Sequence, residues 1–164
     1  SNSNINTTLN STESYNFLGQ IDSAVRNIIK SVKIPYGVGG ATSTVNSGAN
    51  GLSCKVFVPS VIEVGFSDTD IPNSDTLPVD GAKLDYFESG SGDSANAKRI
   101  AYLNNNVRAW WLRSPTIWLN YEAYFIDDSG AGRFTTVNNS YLSLRPCFII
   151  PHDAKLDANN NIVA

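Results

Sequence analysis

Apolar residues recur at helical spacing in the first fifth of the chain and gather into short β-like runs in its last third. Phe17, Leu18, Ile21, Val25, Ile28, Ile29 and Val32 share one face at that spacing, which predicts an amphipathic helix over residues 14–32. Ser11, Thr12 or Ser14 is placed to cap it, and Pro35 lies just beyond its end. The Asn-, Ser- and Thr-rich residues 1–13 read as a flexible lead-in.

The middle of the chain is punctuated by turn formers. Residues 37–51, 65–81 and 88–97 carry Gly, Ser, Asp, Asn and Pro and read as loops. Between them residues 55–58 predict a short strand that Pro59 stops, and residues 60–64 a short helix. Leu84, Tyr86 and Phe87 form a small apolar cluster. From residue 99 onward aromatic and β-branched residues dominate. Residues 107–113 predict a strand, and residues 122–127 and 132–137 a hairpin turned by Asp128-Ser129-Gly130. Residues 142–150 predict a last strand interrupted by Pro146, and residues 151–164 a polar tail. The order predicts an α+β domain, an N-terminal helix packed on an antiparallel β-meander with long loops. Loops of this length on a β scaffold suit binding.

With 164 residues, one domain over residues 14–150 is expected. Charged residues are only 16%, with a net charge of −3, and Asn, Ser, Thr and Gly replace them. Such a surface suits an extracellular or virion protein. No Lys/Arg run exceeds two, so the electrostatic footprint of a nucleic-acid binder is missing. No segment has the length and apolarity of a membrane span, so insertion is not expected. The N-terminus lacks the pattern of a signal peptide, Ser1-Asn2 reads as a tag remnant, and a piece of a longer, oligomeric parent is expected.

Candidate chemistry is sparse. Cys54 and Cys147 lie in strand-like runs, as two small core residues or as one disulfide, and their spacing excludes a C-x-x-C motif. The lone His152 sits in the tail without a nucleophile elbow, so no catalytic residue is assigned. Asp157, Asn159 and Asn161 mimic half of an EF-hand loop but lack its glycine and glutamate, so neither metal nor cofactor is expected.

Trp110-Trp111-Leu112-Arg113-Ser114-Pro115 reads W-W-L-R-S-P, and Leu144-Arg145-Pro146 follows about thirty residues later. Upstream lie Lys55-Val56-Phe57-Val58-Pro59-Ser60, Glu63-Val64, Leu84-Asp85-Tyr86-Phe87 and Arg99-Ile100-Ala101-Tyr102. Over residues 14–150 this order resembles a family of domains from gut Gram-positive bacteria and their phages, ending in W-L-R-S-P … G-x-R-P. The resemblance implies a C-type-lectin-like fold, related to that of formylglycine-generating enzymes. Ser143 and Leu144 depart from the family's glycine and valine, and Cys147 from its small apolar residue. Variable receptor-binding proteins of diversity-generating retroelements share this fold. They diversify AAC and AAT codons, and residues 116–141 are rich in the amino acids that result, although Trp118 and Glu122 do not arise that way.

The function expected is non-catalytic adhesion on a phage tail or bacterial surface, to a cell-surface protein or glycan. The binding residues expected are Trp118, Asn120, Tyr121, Arg133, Asn138, Asn139 and Tyr141, whose mixture of rigid aromatics and adaptable polar groups is that of a paratope. Asn138 and Asn139 read equally as a turn, while Phe125 and Phe134 read as core. Arg113 and Arg145 read as loop-fixing arginines or as charged ligand contacts. A structural spacer is the alternative, and an enzyme of the formylglycine-generating type, which needs closely placed cysteines, a further one.

Overall fold

The computed structural model describes residues 4–40, 44–74, 76–157 and 162–163. It is a mixed α and β structure of few, short helices and small antiparallel sheets. Two compact units appear, one of Ser1–Lys33, Ser53–Phe57 and Pro146–Ala164, the other of Ile34–Leu52 and Val58–Arg145.

In the first unit the expected long helix is broken. Helices Phe17–Gln20 and Ser23–Ile28 replace it, because Ile21 is extended, Asp22 is non-helical and the Asp22 carboxylate accepts the Ala24 N–H at 2.8 Å, starting a new helix. Leu18 and Ile29 are the buried members of the apolar face. The lead-in also differs from expectation, since Asn4–Asn10 is helical and buries Leu9. Asn10 explains its position. Its Oδ1 accepts the N–H groups of Lys55 and Val56 at 2.8 and 2.9 Å, and its Nδ2 donates to the Val56 carbonyl at 2.7 Å. One amide thus does the work of a neighbouring strand for Val56–Phe57, which pairs with Cys147–Phe148 through Phe57↔Cys147 and Val56↔Phe148. The last predicted strand shrinks to those two residues because Pro146 has no N–H to give a ladder. Lys155–Leu156 pairs with Ile162–Val163 in what was expected to be a plain tail.

The second unit is built on a three-stranded antiparallel meander, Trp110–Pro115, Glu122–Ile126 and Gly132–Thr136. The hairpin lies where the sequence puts it. Its turn is held by Asp127 Oδ1, which accepts from Ser129 N and Ala131 N, and Gly130 adopts φ +84. The predicted strand over residues 107–113 is divided. Asn106–Arg108 pairs back on Ala101–Leu103 across Asn104 and Asn105, both with positive φ, and Trp110–Pro115 starts afresh. Alternation sends Trp110 and Trp111 to opposite faces. Trp110 joins Leu112, Tyr124 and Ile126 in the core, while Trp111 meets Phe125 edge-on at 6.3 Å.

Much of the rest of that core comes from the segment 65–81, expected to be a loop: Phe66, Ile71 and Leu77 are buried in it, together with Phe87 of the small apolar cluster. Side chains replace a regular ladder there, as Asp70 accepts from Ser67 N, Asp68 from Leu77 N, and Ser74 bonds the Tyr124 hydroxyl. Residues 60–64 form a turn rather than a helix, with Val61 and Val64 fully buried and Gly65 at φ +89. Residues 88–97 are not all loop either, since Asp93–Arg99 is a helix whose Ala95 and Arg99 are buried.

Candidate functional site

Every residue of the W-W-L-R-S-P signature has an architectural partner. Trp110 donates its indole N–H to the Arg99 carbonyl at 3.0 Å. Arg113 uses all five guanidinium donors. They go in a fork to Glu63 at 2.6 Å twice, and singly to the carbonyls of Pro35, Val58 and Asp80. Ser114 Oγ donates to Asp80 Oδ2 at 2.8 Å and accepts the Val61 N–H at 2.8 Å. Glu63 itself accepts the Ser60 N–H, and Ser60 Oγ accepts the Glu63 N–H, a reciprocal pair that closes the turn over residues 60–64. Asp80 is fully buried, and that burial pushes its carboxyl up from 3.8 to about 6, against the pull of the Arg113 charge and the Ser114 hydroxyl. Arg113 is therefore a staple between the meander and the segments around it.

The buried Arg99 is a second staple. It donates to the carbonyls of Val64, Glu88 and Gly90 and stacks 3.8 Å from the Phe66 ring centroid. Burial lowers its pKa to about 10, so it stays charged at neutral pH. Composition alone did not mark it, since its carbonyl partners are distant in sequence.

The surface the signature leaves outside is different. After Pro115 the chain makes a bend in which Thr116 N donates to the Glu122 carbonyl, Glu122 N to Leu119, and Thr116 Oγ1 to Leu119. This closed bend turns Trp118, Leu119 and Tyr121 outward, 58%, 36% and 51% exposed. Val137, 58% exposed, joins them by donating its N–H to the Tyr121 carbonyl at 2.9 Å. Gly39 and Gly40 back the bend: a Cβ on either would stand 3.1–3.2 Å from Pro115 or Asn120. The result is a set of exposed apolar and aromatic side chains on a short, internally bonded loop, with Asn120 exposed in the same loop and Asn138 exposed next to Val137.

The other expected binding residues separate from it. Arg133 stands at the turn end of the hairpin, paired with Asp127 at 3.1 Å. Burial pushes the Asp127 carboxyl up, but hydrogen bonds from Ser129 and Arg133 outweigh it and hold it below the usual carboxylate range. Asn139 is half-buried and spends its carbonyl oxygen on the Tyr141 N–H, while Asn138 bonds Thr136 Oγ1 at 2.7 Å. Both serve the turn. Tyr141 is 92% exposed and makes no ring contact among the described residues. Phe134 packs partly buried on the core, edge-on to Tyr124.

The cysteines are thiols rather than a disulfide, Cys54 buried and Cys147 half-buried. Among the described residues no cluster of His, Cys, Asp and Glu could hold a metal, and Asn159 and Asn161 lie outside them. A shallow cavity of about 340 Å³, lined in part by Phe66, Asp70, Lys83 and Gly90, includes none of the expected binding residues. No described helix is long and apolar enough to cross a membrane.

A family model described as "Domain of unknown function (DUF6273)" matches residues 1–152. No curated protein and no solved structure matches the chain.

Proposed function

The chain belongs to the DUF6273 family, and we propose that it is a non-catalytic recognition domain that binds a cell-surface protein or glycan through the Trp118 loop. The observation that carries this is the exposure of Trp118, Leu119 and Tyr121 on one closed bend, with exposed Val137 hydrogen-bonded to Tyr121 beside it. Large apolar side chains exposed together on a loop are costly in water unless something covers them. Their fixed mounting reduces the entropy lost on binding, which is what makes rigid aromatics effective anchors.

We read the frame as C-type-lectin-like, on the strength of the three-stranded meander, the long loops packed by side chains, and the signature buried at its base. The site is a phage tail or bacterial surface in this reading, and residues 116–141 are where copies would diversify, since the staples lie outside that window. Single-site contact of this size is weak. Presentation in several copies on an oligomeric parent would raise it by roughly two to four orders of magnitude. The absence of catalysis is part of the proposal: Cys54 is buried and Cys147 sits in a strand, which suits packing better than turnover.

The test is binding of the multimerised domain to a glycan array and to Gram-positive host cells, beside a Trp118→Ala, Tyr121→Ala variant. Loss of at least about tenfold in a folded variant, a modest figure for two aromatic anchors, supports the reading. Equal binding by both proteins would move the interface elsewhere, and no binding by either would favour a structural spacer.

A further inference from the structure

Arg145 stands apart from the other buried arginines. Arg99 and Arg113 spend their donors on carbonyls and carboxylates. Arg145 has no such bond among the described residues, and its Nη1 is enclosed without a hydrogen-bond partner. It forms no ion pair with any described carboxylate. Aromatic rings are what it does touch. Its guanidinium carbon lies 5.0 Å from the Trp110 ring centroid, 5.5 Å from Phe87 and 6.0 Å from Tyr86.

This combination has a chemical meaning. The aromatic faces stabilise the positive charge without supplying an acceptor to any N–H. A guanidinium so held keeps its remaining edge of donors, Nε and Nη2, for a carboxylate, its best-matched partner. Arg145 is only half-buried and Nη1 is its one enclosed, unpartnered nitrogen, so the edge left for a ligand is that of Nε and Nη2. Beside it Tyr86 is 61% exposed, with its ring set edge-on to Phe87 at 5.1 Å, which fixes its orientation. An anion on the guanidinium and a flat apolar body on Tyr86 are thus offered together.

We propose that Arg145 and Tyr86 form an acidic-sugar subsite: the guanidinium takes the carboxylate of a uronic or sialic acid, and the pyranose ring rests on Tyr86. The sugar is preferred to an aliphatic acid because Tyr86 adds a fixed aromatic face beside the fork. The subsite does not rest on the Trp118 loop, and its residues lie outside the bend that carries that patch.

The experiment is a titration of the full chain, followed by calorimetry and by the Arg145 Nε–H resonance, with glucuronic acid, N-acetylneuraminic acid, glucose and acetate as probes. The parent is compared with Arg145→Lys, Tyr86→Ala and Trp118→Ala. At least one acidic sugar should bind at millimolar concentration or better and move the Arg145 resonance, with glucose and acetate at least tenfold weaker. Tyr86→Ala, a change at an exposed ring, should weaken the acidic sugar at least fivefold and spare the fold. Arg145→Lys should weaken it at least tenfold. Trp118→Ala should leave it unchanged. The proposal is overturned if neither acidic sugar binds, if acetate or glucose binds as well, or if Tyr86→Ala retains full binding. Loss of sugar binding in Trp118→Ala would also overturn it, by assigning that site to the loop patch instead.

Discussion

At the scale of single residues, the buried polar groups of the signature govern stability. The Arg113 and Glu63 side chains are 9% and 10% exposed, so cutting one leaves the other charged and enclosed. Glu63→Gln should lower stability by about 3–5 kcal/mol, read from the denaturant midpoint. Asp80 predicts a pH dependence of unusual sign. Its folded pKa is raised, from 3.8 to about 6, so the native state holds a proton that the unfolded chain has released between those values. Stability is then greatest below about pH 4 for this group and falls as pH climbs through about 6, by about 3 kcal/mol in all. Asp80→Asn should remove that slope, and stability curves at matched ionic strength would reveal it. A slope unchanged in the variant would assign it to other groups. Arg113 was legible as a structural arginine because it precedes Ser-Pro at a strand end. The Arg145 cage was not legible, because nothing in the order of residues says which arginine finds a carboxylate.

Elements were legible where the pattern is local. The hairpin over residues 122–137 declares itself through alternation and an Asp-Ser-Gly turn, and it stands within one residue of expectation. Gly130→Ala tests why glycine closes that turn. The residue has φ +84, and a Cβ would clash with the Asn96 carbonyl oxygen. The substitution should cost at least about 1–3 kcal/mol in thermal or chemical unfolding. The broken helix was not legible, since the apolar period runs unbroken through Asp22 while the Asp22 cap starts a second helix. The helix Asn4–Asn10 was missed for a related reason. Its sequence signal is only Ile5 and Leu9 four apart, and its stabilising contact is a side-chain clamp on a strand some 46 residues away. Asn10→Ala should therefore speed hydrogen exchange at the Lys55 and Val56 amides at least tenfold, equivalent to about 1.4 kcal/mol for the lost bonds.

At the scale of the molecule, the sequence spoke clearly for an α+β protein and for a meander near its C-terminal end. It was silent about how the segment from Val61 to Phe87 would pack. Those residues lack periodicity because their burial is arranged by Asp, Ser and Glu side chains instead of a ladder. Of the seven expected binding residues, Trp118, Asn120 and Tyr121 share one exposed bend, Arg133, Asn138 and Asn139 are engaged in local contacts, and Tyr141 stands exposed by itself. Adjacency in sequence was enough to find the first group, whereas strand register and turn bonding decided the rest.

We propose that recognition is carried by the Trp118 loop rather than by exposed apolar surface in general. Tyr102 and Leu103, 67% and 54% exposed on a different hairpin, provide the internal control. The decisive measurement is host-cell binding of three multimerised proteins: the parent, Trp118→Ala with Tyr121→Ala, and Tyr102→Ala with Leu103→Ala. The first pair should lose at least about tenfold in apparent affinity, about 1.4 kcal/mol or more, while the second pair should bind like the parent. Equal losses in both pairs, or a loss confined to Tyr102 and Leu103, would contradict it.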